Sequence, residues 1–83
     1  MYRIIIERRA VREIESLPNE IIQDVIDAIK SLKSNPRPHG VKKLIEVDGW
    51  RIRVRDYRVL YLIDDDKRVI SIYRVKHRCK VYR

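Results

Sequence analysis

The chain has 83 residues, of which 45% are hydrophobic and 39% are charged, and this length predicts a single domain over residues 1–83. Lys and Arg number 20 against 12 Asp and Glu, which gives a net charge of +8. The apolar stretches are too short to cross a bilayer, and one cysteine cannot form an internal disulfide. We therefore expect a cytoplasmic domain that has no membrane partner and binds a polyanion such as nucleic acid.

The positive charge is concentrated in the second half of the chain. Residues 1–40 hold 7 basic and 6 acidic side chains, whereas residues 41–83 hold 13 basic and 6 acidic side chains. The net charge is therefore +1 in the first part and +7 in the second. We infer that the C-terminal half carries the surface that attracts a polyanion.

The first half of the chain predicts one strand followed by two helices. Residues 2–6 are rich in isoleucine and too few for a helix, which favours a strand. A helix is predicted over residues 8–17, and Pro18 ends it. Its apolar face comprises Ala10, Val11, Ile14 and Leu17. A second apolar stripe predicts a helix that runs to about Ser34, and two prolines and a glycine in residues 35–40 then predict a loop.

After this loop the apolar residues recur at every second position, which predicts strands. A weak strand over residues 41–47 ends at an Asp-Gly hairpin signal, and stronger strands follow over residues 50–54, 57–63 and 69–75. The three aspartates between the last two strands lack the further ligands of a calcium loop and predict a turn. The fold class is therefore α+β. It has an N-terminal strand and a two-helix hairpin that covers one face of a three- to four-stranded antiparallel sheet.

Pairing rules divide the side chains of this sheet between two faces. A two-residue turn at 55–56 would place Arg53 opposite Arg58, and a two-residue turn at 65–66 would place Arg58 opposite Tyr73. The face that the helices cover then collects Trp50, Ile52, Val54, Tyr57, Val59, Tyr61, Ile63, Ile70 and Ile72. The opposite face collects Arg51, Arg53, Arg55, Arg58, Leu60, Leu62, Ser71 and Tyr73.

Four arginines on one sheet face repel one another, so we interpret this face as a cradle for phosphate groups, whose oxygens suit guanidinium forks. A merely solvated face is the alternative. The C-terminal tail adds the cations Arg74, Lys76, His77, Arg78, Lys80 and Arg83, and Tyr82 supplies a ring that can stack on a base. Lys42 and Lys43 either contact RNA as well or protect a strand edge.

The segments WRIRVRDYRVLYLID and SIYRVKHRCKVYR resemble the RelE/ParE toxin superfamily. More narrowly, they resemble the RelE-type ribosome-dependent mRNA endonucleases of toxin–antitoxin modules. This resemblance covers nearly the whole chain. It implies cleavage of mRNA in the ribosomal decoding site, without a metal or other cofactor, by attack of a ribose 2′-OH on the adjacent phosphate. It also implies three partners: the mRNA, the 16S-type ribosomal RNA of the decoding site, and a RelB-like antitoxin that neutralises the toxin.

The resemblance further implies roles for individual residues. Arg51 and Arg53 correspond to a basic pair on the first hairpin strand, and Arg58 corresponds to an arginine that follows the turn. Arg78 corresponds to an arginine beyond the last strand, and Tyr82 to a tyrosine that stacks on or orients the substrate.

One departure from the family pattern bears on the chemistry. Well-studied members carry lysines where this chain has Arg51 and Arg53, and an arginine essentially cannot release its proton. We therefore expect His77 or Tyr82 to accept the proton of the 2′-OH, because an imidazole exchanges protons near neutral pH. Arg78 is expected to act as an acid or to stabilise charge, while the arginines of the sheet bind the phosphates.

Other functions remain open at this point. A toxin of the ParE branch would inhibit DNA gyrase by binding it, without nuclease chemistry. A plain RNA-binding domain without catalysis and a degenerate toxin that only binds its antitoxin are two further alternatives. The full set of basic residues implied by the resemblance favours the endonuclease.

Overall fold

A computed structural model describes residues 1–44 and 49–78. Several sequence predictions therefore lie outside the described residues: the end of the weak strand over 41–47, the Asp48 of its hairpin signal, and the tail residues Lys80, Tyr82 and Arg83. Within the described ranges, no helix is long and apolar enough to cross a membrane.

Five strands and two helices make up the described chain. In chain order they are β1 (Arg3–Ile6), α1 (Arg8–Glu15), α2 (Asn19–Ser31), β2 (Lys42–Lys43), β3 (Trp50–Val54), β4 (Tyr57–Asp64) and β5 (Val69–His77). The strands form one sheet in the order β1-β5-β4-β3-β2. Strands β2 to β5 pair antiparallel, as predicted, whereas β1 pairs parallel with β5 and so joins the sheet at the edge opposite β2.

The helices pack on one face of the sheet, where they bury a single apolar core. The largest fully buried side chains come from both layers and are Tyr61, Leu32, Ile70, Ile72, Val25 and Val59. This arrangement confirms the predicted α+β class, because the apolar parity of β3, β4 and β5 selects the same face that the helix stripes require.

Both helices end earlier than predicted. α1 ends at Glu15 and α2 ends at Ser31, each followed by a short turn before the next element. Ala10 and Ile14 are buried, but Val11 is 38% exposed, so its predicted place on the buried face is wrong. Val11 lies about 100° around the helix axis from Ala10. This eight-residue helix buries only the stripe that contains Ala10 and Ile14, so Val11 remains exposed.

The predicted register of the first hairpin is confirmed. Val54 pairs with Tyr57, and Arg53 lies opposite Arg58. The predicted register of the second hairpin is wrong, because Asp64 pairs with Val69 rather than with Lys67. The Asp64 carboxylate accepts a hydrogen bond from the Lys67 backbone N–H at 3.0 Å, and this side-chain turn lengthens the connection to four residues.

A β-bulge separates two parts of the β4–β5 pairing. Tyr61 pairs with Ile72, but the neighbouring Leu60 pairs with Arg74, so β5 carries one extra residue at this level. Beyond the bulge, Arg58 lies opposite Lys76 rather than opposite the predicted Tyr73. The sequence pattern did not indicate this shift, because each half of β5 alternates regularly by itself.

Tyr2, Asp65 and Arg37 form a staple between three distant segments. The Tyr2 hydroxyl donates to Asp65 Oδ1 at 2.6 Å, and Arg37 Nη2 lies 2.9 Å from Asp65 Oδ2. The Arg37 guanidinium also stacks 5.0 Å from the centre of the Trp50 ring. The staple therefore fixes the loop before β2 to the start of the chain and to the β4–β5 turn.

We expect this staple to make stability depend on pH. Hydrogen bonds, chiefly from Arg37 and secondly from Tyr2, hold the pKa of Asp65 below its usual value. The stability that the Asp65 carboxylate contributes to the fold is therefore present above about pH 3.9, and it is lost as the pH falls through the lower folded pKa. The hydrogen bond to Asp65 raises the pKa of Tyr2, so its contribution is present below its usual value of 10.0 and is lost as the pH rises through the higher folded pKa.

Asp65→Asn should therefore lower the melting temperature at pH 7, and the difference from the unmodified chain should shrink as the pH falls to 3. Thermal unfolding followed by circular dichroism measures both values. Asp66→Asn is the matched control, since no hydrogen bond or ion pair of Asp66 is found among the described residues. A difference that stays constant between pH 7 and pH 3 would contradict the role of the Asp65 charge.

Candidate functional site

Four basic side chains from three adjacent strands surround one cleft on the sheet face that the helices leave uncovered. We call it the basic cleft; it has a volume of about 250 Å³ and is lined by Gly40, Lys42, Arg51, Arg53 and Arg58. Strand pairing explains the cluster, because Lys42 lies opposite Arg51 and Arg53 lies opposite Arg58. Three of the four arginines predicted for this face, Arg51, Arg53 and Arg58, therefore line the cleft, and Lys42 lines it with them.

Arg58 is the most enclosed cation of the basic cleft. Only 6% of Arg58 is exposed, although the sequence placed it on an open face, because β4 is the central strand and has neighbours on both sides. Arg51 is half-buried and Arg53 is exposed, so the cleft deepens from β3 towards β4. A buried guanidinium beside two like charges attracts an anion more strongly than a solvated one does.

Gly40 forms one wall of the basic cleft, and sequence reasoning did not single it out. Its φ is +89°, a left-handed conformation that glycine adopts without a steric penalty. The Val41 N–H donates to the Pro38 carbonyl at 3.0 Å and closes the turn around it. The Pro-His-Gly sequence was a signal for this turn, but not for its position beside the arginines.

Two predicted RNA contacts lie outside the basic cleft. Arg55 occupies the β3–β4 turn with a φ of +54°, and its Nε forms an ion pair with Asp24 of α2. This places Arg55 on the helix side rather than on the predicted arginine face. Lys43 lies opposite Trp50 in the strand pairing, with its Nζ 5.1 Å from the centre of the Trp50 ring, so it faces away from Lys42.

Tyr73 is half-buried at the bulge rather than placed opposite Arg58. Its hydroxyl approaches Gly49, where an added Cβ would lie only 3.2 Å from the Tyr73 oxygen. Burial raises the pKa of Tyr73 above its usual value, so the phenol keeps its proton at neutral pH. Tyr73 therefore supplies packing and a hydroxyl, but no base.

The structure does not bring His77 into the basic cleft. His77 packs edge-on against the Tyr57 ring with the ring centres 5.2 Å apart. It lines a second cleft of about 290 Å³, which we call the His77 cleft and which is bounded by Glu13, Ser16, Leu17, Tyr57, Arg74, Val75 and Lys76. Lys76 lines the His77 cleft and lies opposite Arg58 in the strand pairing.

Arg78 lies at the end of the sheet beside the β3–β4 turn. Its backbone N–H donates to the Asp56 carbonyl at 2.7 Å, and its Nε lies 4.0 Å from Asp56 Oδ1. Lys80, Tyr82 and Arg83 lie outside the described residues. In the two ranges that the structure describes, no group of three or more His, Cys, Asp or Glu side chains lies close enough together to hold a metal ion.

A partly buried ion pair in the lining of the His77 cleft was also not foreseen. Arg74 Nη2 lies 3.0 Å from Glu13 Oε2, and only about a fifth of each side chain is exposed, 21% and 23%. Sequence reasoning placed Arg74 among the tail cations and did not single out Glu13. Nothing in the local pattern links two residues that are distant in sequence.

Comparison with known sequences identifies relatives over almost the whole chain. A family model described as the ParE toxin of type II toxin–antitoxin system, parDE, matches residues 4–82. The chain is 33% identical over 84 residues to Toxin RelG of Mycobacterium tuberculosis, covering 99% of this chain and 97% of that protein. It is 28% identical over 86 residues to a Putative toxin RelE1 of Methanocaldococcus jannaschii, covering 99% and 96%.

Solved structures agree with this assignment. An archaeal RelE–RelB complex from Pyrococcus horikoshii OT3 contains a chain that is 30% identical, with a TM-score of 0.85 over 95% of this chain and 97% of that chain. The complex RelBE2 from Mycobacterium tuberculosis gives a TM-score of 0.82 at 30% identity, over 93% and 98%. The E. coli RelBE complex shares the fold at 24% identity, with a TM-score of 0.81 over 93% and 96%. The chain therefore belongs to the RelE/ParE toxin superfamily of type II toxin–antitoxin systems.

Proposed function

We propose that this toxin is a ribosome-dependent endoribonuclease that cleaves mRNA in the decoding site. The observation that carries the proposal is the basic cleft, in which Lys42, Arg51, Arg53 and Arg58 converge on a volume of about 250 Å³. Guanidinium and ammonium groups bind phosphate oxygens, so four such groups around one cleft suit the backbone of a polynucleotide. The cleft is small, so the ribosome would hold the mRNA and complete the active site.

The proposed reaction needs no metal and balances within the RNA. The ribose 2′-oxygen forms a bond to the adjacent phosphorus, and the bond from phosphorus to the 5′-oxygen breaks. The 2′-OH loses a proton, the leaving 5′-oxygen gains one, and a 2′,3′-cyclic phosphate remains. The arginines of the basic cleft would stabilise the additional negative charge that develops on the phosphate oxygens.

Proton transfer distinguishes the lysine of the basic cleft from its arginines. Guanidinium groups keep their protons, so Arg51, Arg53 and Arg58 can only bind and stabilise charge. Lys42 lies directly opposite Arg51 and lines the same cleft. We assign to Lys42 the donation of a proton to the 5′-oxygen. His77 remains the proposed acceptor for the 2′-OH proton, reached from the neighbouring His77 cleft when the ribosome orients the substrate.

We also propose that a RelB-like antitoxin neutralises the toxin. Two structures at 30% identity contain complexes, the RelE–RelB complex of Pyrococcus horikoshii and the toxin–antitoxin complex RelBE2 of Mycobacterium tuberculosis. The charge of +8 favours an antitoxin segment that is acidic, and the exposed Ile5 and Leu62 favour one that is apolar in part. Such a segment would cover the helices or the basic cleft.

A ParE-type inhibitor of DNA gyrase is the second candidate, because the family model that matches is described as a ParE toxin. That function would need a protein-binding surface and no cleavage chemistry. It would leave the convergence of four cations around one cleft without a role.

We expect the unmodified toxin to produce new mRNA 5′ ends within the decoding-site codon of translating ribosomes, detected by primer extension. Arg58→Ala should reduce cleavage by about 10²- to 10³-fold, because it removes the most enclosed charge that stabilises the phosphate. Arg9→Ala removes the same charge from an exposed position on α1 and should cleave normally. Inhibition of gyrase supercoiling without mRNA cleavage would overturn the proposal and favour the second candidate.

Lys42→Arg tests the proton donor while keeping the charge. We expect the single-turnover cleavage rate to fall by about 10²- to 10⁴-fold, with an unchanged half-saturating ribosome concentration. Adding Arg51→Lys to Lys42→Arg returns an ammonium group to the opposite position of the strand pair and should recover part of the rate. Cleavage by Lys42→Arg at the unmodified rate would refute this assignment.

The dependence of antitoxin affinity on salt concentration measures how much of the binding is ionic. Raising the ionic strength from about 0.1 to 1 M shortens the screening length from about 10 to 3 Å and should weaken the complex, as followed by calorimetry with the co-expressed antitoxin. An affinity that does not change with salt would instead indicate burial of apolar surface around Ile5 and Leu62.

A further inference from the structure

The β-bulge in β5 decides which residues face the basic cleft. Without it, the pairing of Tyr61 with Ile72 would continue regularly and would set Val75 opposite Arg58. With it, Lys76 lies opposite Arg58 and Val75 is 3% exposed in the core. One inserted residue therefore exchanges an apolar side chain for a cation beside the deepest arginine.

Glu13 of α1 binds the bulge directly. Its Oε1 accepts the Val75 backbone N–H at 2.8 Å, and its Oε2 accepts Arg74 Nε at 3.0 Å. The same carboxylate lies 3.0 Å from Arg74 Nη2. Glu13 thus holds the two residues that follow the extra residue Tyr73, Arg74 by its side chain and Val75 by its backbone.

The end of the β1–β5 pairing explains why the Glu13 side chain, and not a neighbouring strand, accepts the Val75 N–H. β1 pairs with β5 only as far as Ile6 with Ile72, so the N–H of Val75 lies beyond the last partner on that edge. A buried backbone N–H needs an acceptor. α1 continues alongside β5, anchored in the core by Ala10 and Ile14, and brings the Glu13 carboxylate to that N–H.

We propose that Glu13 is a positioning residue that fixes the register of β5 beyond the bulge and thereby sets Lys76 beside Arg58. Lys76 then extends the basic cleft across to β5 and contributes to the binding of the phosphate. The functional part of this inference rests on the proposed endoribonuclease activity, whereas the register itself does not.

The register is tested by nuclear magnetic resonance on the intact chain. In the unmodified protein we expect contacts between the Tyr57 and His77 rings and slow hydrogen exchange at the Val75 amide. Glu13→Ala should remove these ring contacts and speed exchange at Val75 by at least about tenfold. Glu13→Gln keeps an oxygen that accepts the Val75 N–H and should retain the ring contacts.

Asp24→Ala is the matched control, because it breaks the ion pair between α2 and Arg55 without touching β5. It should leave the Tyr57–His77 contacts and the Val75 exchange rate unchanged. Retention of both signals in Glu13→Ala would overturn the proposed hold on the register. Circular dichroism verifies that each variant is folded. If the Ala variant unfolds, retained ring contacts in the Gln variant support the proposal, and loss of these contacts in a folded Gln variant would overturn it.

Cleavage on ribosomes tests the functional part through a double-mutant cycle. Glu13→Ala and Lys76→Ala should each slow single-turnover cleavage by about 10- to 100-fold, and combining them should cause no further loss. Additive losses would show that Glu13 acts independently of Lys76 and would refute the coupling. Should the unmodified chain not cleave mRNA at all, the proposed function fails, and the resonance measurements still decide whether Glu13 sets the register.

Discussion

The two faces of β4 impose opposite environments on neighbouring residues, and the rest of the molecule depends on this alternation. Val59 and Tyr61 point into the core and are fully buried, while Arg58 between β3 and β5 points to the other side. Because β4 has a strand on each side, a shift of one residue would bury a row of charges against α1 and α2. The apolar packing of the helices therefore also fixes the positions of the cations on the uncovered face.

The strength of the hydrophobic alternation explains what was predictable. β3 alternates strictly and β4 is apolar almost throughout, with a two-residue turn between them, so the pairing of Arg53 with Arg58 and the strand bounds to within one residue followed from the sequence. The helices followed in the same way from their apolar stripes. The predicted register of the second hairpin was wrong because it depends on a single hydrogen bond. The bond from the Lys67 N–H to Asp64 lengthens the turn without changing the hydrophobic pattern on either side of it.

The candidate site was predictable in part for the same reason. Arg51, Arg53 and Arg58 share a face because alternate residues of a strand, and residues paired across two strands, point to the same side. Arg55 does not share this face, because its backbone is left-handed in the turn and its side chain forms an ion pair with Asp24. The separation of His77 from the basic cleft depends on a bulge held by Glu13 from another element. Contacts between residues that are distant in sequence leave no periodic signal from which they could be predicted.

The parallel pairing of β1 with β5 has a consequence for how the toxin is made. Arg3 pairs with Val69, so the first strand of the chain acquires its only sheet neighbour among the described residues from the last strand. Such non-local pairing adds loop-closure entropy and slows folding. During synthesis, β1 and the helices emerge before β5 exists, and the sheet on which the basic cleft lies is completed only after the end of β5 has left the exit tunnel. Until β5 is synthesised, β1 has no sheet neighbour among the described residues, so this fold is completed late in the synthesis of its own chain.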